Sequence, residues 1–123
     1  MNSLIKQIFK DFEVNGVKIP VSFLRYNGTS INYITYQELN AGDPFYSDNE
    51  LMNYISYYDF DIYSKGDFFP IIKSVKKLLK DNGFRWEPTL SSADMFEDDT
   101  GYYHKTLCFS IIRNVEDTDV ASV

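Results

Sequence analysis

The chain has 123 residues with a formal net charge of −6 at pH 7, and it carries ten Tyr, ten Phe and one Trp. That length suits one domain with one core, roughly two-thirds of the extended-chain surface being buried on folding, without help from disulfides or a structural metal. The acidic balance argues against sequence-specific nucleic-acid binding, which draws on massed Lys and Arg, and the lone Cys108 and lone His104 argue against an internal disulfide or a zinc site at a recognised ligand spacing.

Leu4, Ile5, Ile8, Phe9 and Phe12 recur at helical spacing opposite Lys6, Gln7, Lys10 and Asp11. This predicts an amphipathic helix within residues 1–12, capped by Asn2 or Ser3 and ended by Asn15-Gly16. From Val17 the period becomes two, with Val17, Ile19, Val21 and Phe23 on one face, and Pro20 marks an edge or irregular strand. Asn27-Gly28 predicts a turn, and Ile31 to Glu38 reads as the returning strand of a hairpin, with Ile31, Tyr33 and Thr35 on one face and Ile34 and Tyr36 on the other. Residues 39–50 have a loop composition around the pair Phe45-Tyr46.

Met52 to Lys65 predicts a long strand, Tyr54, Tyr58, Phe60 and Ile62 facing one way and Ile55, Tyr57, Asp59, Asp61 and Tyr63 the other. Asp67 and Pro70 open a second helix whose apolar stripe, Phe68, Ile71, Ile72, Val75, Leu78 and Leu79, lies opposite Lys73, Lys76, Lys77 and Lys80. Asn82-Gly83 closes it. A short strand at 84–87, a polar loop at 89–100 and a last strand from Tyr102 to Arg113 complete the order, with Tyr103, Leu107, Phe109 and Ile111 sharing a face. The expectation is a single α+β domain over 1–116 and a flexible tail at 117–123. Its architecture is a two-layer sandwich, a mostly antiparallel sheet of four to five strands with both helices on one face.

No apolar run reaches the roughly 20 residues needed to cross a bilayer, and the first residues lack the blocks of a secretory signal, so a soluble cytoplasmic product with no membrane contact is expected. Asp59 and Asp61 share a strand face, as an acid/base pair or cation site would require, but no motif supplies a third group, and a solvated sheet face is the simpler reading. Glu97-Asp98-Asp99 ahead of Gly101 lacks the alternating pattern of a calcium loop. His104-Lys105 reads as a surface pair, Cys108 as a small core residue, and the lysines of the second helix as its solvated side. No enzyme, cofactor or metal is expected from these residues.

The aromatic residues are the positive signal. Tyr36, Tyr57 and Tyr63 fall on strand faces that two helices cannot all cover, and Phe45, Tyr46, Met95 and Phe96 sit in polar loops, so these seven are candidate contacts with neighbouring subunits.

The order of motifs adds a resemblance. The entry N-G-V-K-I-P-V, the strand I-N-Y-I-T-Y, the segment D-F-D-I-Y-S-K over Asp59 to Lys65, Gly83-Phe84, and the run from Phe96 to Lys105 together resemble the tail-completion or tail-terminator proteins of long non-contractile-tailed bacteriophages, over residues 3–115. The resemblance implies a non-enzymatic virion component, assembled in the host cytoplasm and sited at the head-proximal end of the tail. It implies a homo-oligomeric ring, a hexamer in that family, that stops growth of the major tail tube protein and offers a docking surface to the head connector protein. The net charge suggests an acidic lumen to which Asp98 and Asp99 contribute. A different class uses the same charge: a small acidic inhibitor or immunity-type protein whose carboxylates occupy a basic cleft on its partner.

Overall fold

The computed structural model describes residues 2–39, 45–47 and 50–114, with side chains described for 2–39 and 54–113; the expected tail at 117–123 lies outside the described residues. The first helix, α1 (Asn2–Ile8), stops earlier than its apolar spacing predicts. The chain leaves it through a turn in which Asp11 takes the left-handed region at φ 55°, and Ile5 and Phe9 are still buried. Asn15 and Gly16, at φ 52° and 81°, do not end that helix. They form the two-residue turn of a hairpin between β1 (Glu13–Val14) and β2 (Val17–Lys18), with Glu13 opposite Lys18 and Val14 opposite Val17. Two successive positive φ values match the twist of such a hairpin, and Asn-Gly adopts them at least cost.

The strand expected from Val17 to Phe23 is therefore split. Pro20 has no N–H for a ladder, and beyond it β3 (Val21–Phe23) pairs in parallel with β4 (Asn32–Glu38), Val21 opposite Ile34 and Phe23 opposite Tyr36. This corrects the expected hairpin. The connection at 24–31 returns along the sheet and folds Tyr26 onto Tyr33, ring centroids 4.6 Å apart. Gly28 permits the fold-back, since a Cβ there would lie 2.0 Å from the Tyr26 hydroxyl oxygen.

Alternating apolar positions produce the two longest elements, β6 (Glu50–Ser64) and β9 (Tyr102–Asn114), which pair antiparallel from Asn53–Asn114 to Ser64–Tyr103. The segment expected as a loop at 39–50 contains β5 (Phe45–Ser47), antiparallel to β6. Between the long strands lie α2 (Phe69–Asp81), β7 (Arg85–Trp86), a 3-10 turn (Pro88–Leu90) and β8 (Met95–Glu97). The Asp67 carboxylate accepts the Phe69 N–H ahead of α2, and the Gly83 and Phe84 N–H groups donate to the Lys80 and Leu79 carbonyls behind it.

The main sheet runs β3-β4-β6-β9-β7, with β5 also on β6 and β8 also on β9, so it has seven strands rather than four to five. All its pairs but β3–β4 are antiparallel. Ile34, Tyr36, Tyr58, Phe60, Ile62, Leu107 and Phe109 form its core face, covered by Ile5 and Phe9 from the α1 side and by Ile71, Ile72, Val75 and Leu79 of α2. Phe60 sits at the centre, its ring 5.8 Å from those of Phe9 and Phe109 and 5.9 Å from Tyr36. Burial of each such side chain contributes about 1.5–3 kcal/mol. The fold is a two-layer α+β sandwich with both helices on one side.

Candidate functional site

Period-two alternation sends every second residue of β4, β6 and β9 to the side opposite the helices, and the register stacks them in rows. Tyr33, Tyr63 and His104 form the first row; Thr35, Asp61 and Thr106 the second; Gln37, Asp59 and Cys108 the third; Tyr57 and Ser110 follow. Thr35, Cys108 and Ser110 in these rows are buried, the tyrosines among them partly exposed, and the loop at 24–31 reaches this side through Tyr26 on Tyr33 and the Ser30 carbonyl at Tyr102.

The first row is a continuous ring stack. Tyr26, Tyr33, Tyr63 and His104 follow one another at centroid distances of 4.6, 4.6 and 4.1 Å with interplanar angles of 24°, 16° and 15°. Tyr102 meets Tyr33 and Tyr63 edge-on, its hydroxyl donates to the Ser30 carbonyl at 3.1 Å, and the Lys65 ammonium lies 4.9 Å over its ring. Burial, followed by the Asp61 charge, raises the Tyr63 phenol to about 12; burial also raises Tyr33. The Tyr33 and Tyr63 phenols are therefore neutral hydrogen-bonding groups at physiological pH.

His104 is not the surface residue expected. Its side chain is 15% exposed, Nε2 lying 3.1 Å from Asp61 Oδ1 and Nδ1 lying 3.4 Å from Glu97 Oε2. Thr106 Oγ1 donates to the same Asp61 oxygen, so Asp61 ties two positions of β9 to β6, while Glu97 ties β8 to β9. Thr100 Oγ1 completes the clasp by donating to Glu97 Oε1 at 2.9 Å.

Asp59, one row on, has a different environment. Its Oδ1 is buried without a hydrogen-bond partner, and burial, then the neighbouring Asp61 charge, pushes its carboxyl above the usual range. Cys108, fully buried beside it, has its thiol raised to about 12, chiefly by burial and then by Asp59. A thiol held protonated is a poor nucleophile. Thr106 donates to Asp61 rather than to His104, so His104 is not placed as a base for that hydroxyl. Among the described residues no three His, Cys, Asp or Glu gather as metal ligands. Beyond these rows Ser110 Oγ donates to Glu87 Oε2 at 2.6 Å, beside a cleft of about 540 Å³ lined by Ile55, Tyr57, Arg85, Glu87, Ser110 and Ile112.

The remaining expected positions divide. Tyr57 and Tyr63 do lie on the side opposite the helices, half-buried among their neighbours. Tyr36 does not: it is 1% exposed in the core, with its hydroxyl donating to Asn2 Oδ1. Phe45 and Tyr46 are placed as backbone in β5, and their side chains lie outside the described residues. Met95 and Phe96 are in β8, 40% and 51% exposed, and Asp98 and Asp99 are exposed in the turn that follows. Phe96 contacts Tyr103 at 4.9 Å, which leads through Phe68 to Phe69, and Tyr103 and Phe69 are 42% and 60% exposed. Tyr26, Tyr33, Tyr102, Tyr103 and Phe69 were not among the expected contacts; the cross-strand register that gathers them follows from the packing of the whole sheet. No protein-family model matches the chain, and no curated protein matches it.

Proposed function

We propose that the chain is a structural subunit that works by association, a phage tail-completion protein that caps the tail tube and carries the surface for head attachment. The observation that supports this reading most is the side of the sheet opposite the helices, which gathers Tyr26, Tyr33, Tyr57, Tyr63 and Tyr102, all partly exposed. Tyr and Phe rings at such a surface supply large contact areas at small entropic cost, and phenols half-sunk among neighbours keep a polar tip for the partner. Tyr57 and Tyr63 on that side, with Met95 and Phe96 on β8, are the proposed contact residues. The partners in this reading are further copies of the chain, the tube protein and the head connector.

Deleting the gene in its phage or prophage tests the reading. The expected result is overlong tails and filled heads without tails, reversed when the protein is supplied from a plasmid. Tails of normal length joined to heads in the deletion would overturn it.

A further inference from the structure

Two clusters of opposite charge stand apart on this chain. Four of its twelve basic residues, Lys73, Lys76, Lys77 and Lys80, fall on α2, where Asp81 is the one acidic residue. Lys76 lies 3.5 Å over the Trp86 ring and Lys77 pairs with Asp81 at 3.0 Å, across an exposed i,i+4 contact that is weak in water. Lys73 and Lys80 are exposed and make no ion pair among the described residues. The opposite charge sits on the arm formed by β8 and the start of β9. There Asp98 and Asp99 project at the turn, likewise without an ion pair among the described residues. The same arm exposes Met95, Phe96 and Tyr103.

The arm is also held in shape. Glu97 accepts from Thr100 and faces His104, and its carbonyl accepts the Gly101 N–H at 2.8 Å, so docking it would cost little ordering entropy.

We propose that this arm docks on the lysine side of α2 of a second copy of the chain, head to tail. Asp98 and Asp99 meet Lys73, Lys77 and Lys80 across the contact, while Phe96 packs on the aliphatic stems of those lysines. Because the two surfaces differ, each copy offers one arm and one helix, and repetition yields a ring where the rotation closes. The proposal rests on the reading that the chain works by association, and it names the surfaces that self-association uses.

Two charge-reversed proteins test it: one carrying K73E, K77E and K80E, the other D98K and D99K. All five side chains are exposed, and circular dichroism checks that each variant is folded. Mass is measured by light scattering and sedimentation up to about 1 mM protein, at low salt and at 1 M salt, where the screening length is about 3 Å. The wild-type chain is expected to associate beyond a monomer at low salt and at least tenfold more weakly at high salt. Each variant alone is expected to associate at least tenfold more weakly than wild type, and an equal mixture of the two to regain association, since reversed arm then meets reversed helix. A monomeric wild type at every concentration, a variant that associates like wild type, or a mixture that stays dissociated would overturn the docking. None of these outcomes bears on tail length in the gene deletion, so the docking and the tail-completion reading can fail separately.

Discussion

Two carboxylates two positions apart on β6 have opposite roles, and the difference lies in their neighbours. Asp61 accepts from Thr106 and lies against His104, so its charge is used. Asp59 has a buried oxygen with no partner, and burial followed by the Asp61 charge raises its carboxyl. A raised carboxyl means that the fold prefers the proton more than the unfolded chain does. The resulting stability is fully present below the unfolded value, near pH 4, and is lost as the pH rises through the folded value. Asp59→Asn removes that loss. Urea unfolding is expected to find the variant more stable than wild type at pH 7, and the gap is expected to close by pH 3. A variant less stable than wild type at both values would mean that the Asp59 carboxylate supports the Cys108 row rather than straining it. Asp61→Asn is the contrasting control, since it exchanges an acceptor for a donor against Thr106 or His104 and is expected to destabilise at pH 7.

The central strands carry a second pH dependence, of one sign. On β4 and β6, Tyr33, Tyr36, Tyr58 and Tyr63 all have phenols raised, in each case chiefly by burial, and Cys108 on β9 has its thiol raised for the same cause. Unfolding releases these groups to ordinary values, so above pH 9 the unfolded chain gives up protons that the folded sheet retains, and stability falls with rising pH. Absorbance of tyrosinate during a titration is expected to show these four phenols ionising only together with loss of the sheet signal in circular dichroism. A single smooth titration of all ten tyrosines with the sheet intact would contradict the assignment. The alternation that buries these rings is plain in the sequence, which is why β6, β9 and the stripe of α2 are legible there. Which face goes under the helices is not: Ile34 and Tyr36 share a side of β4 by parity, but only packing against α1 and α2 decides that this side is the core. Pro20 breaks the run from Val17 to Phe23 by removing one donor, yet nothing local tells that β3 then joins β4 in parallel. The row from Tyr33 through Tyr63 to His104 is a product of register between strands distant in sequence, and so is the recruitment of His104 to two carboxylates.

At the scale of the whole chain, the same long-range pairing sets how the protein folds. The centre of the sheet is the β6–β9 ladder, whose partners are about 40 to about 60 positions apart, and the elements between them, α2, β7 and β8, reach their places on the sheet only against that ladder. Loop closure on this span precedes most of the stabilising contacts, including the meeting of Phe60 with Phe109 at the core and of Asp61 with Thr106 on the other side. Refolding is therefore expected on the millisecond-to-second scale of sheet proteins rather than the microsecond scale of helical bundles. Trp86 reports it directly. The lone tryptophan lies on β7 under the Lys76 ammonium, with its Nε1–H donating to Ser91 Oγ at 3.1 Å, so its environment forms only when β7 has joined β9 and α2 lies alongside. Stopped-flow fluorescence after dilution from urea is expected to recover the native Trp86 signal in one exponential phase, with the ratio of folding to unfolding rates matching the equilibrium constant. Recovery within the dead time would place α2 and β7 together before the ladder closes, and would make the helix layer, not the long strand pair, the nucleus of the fold.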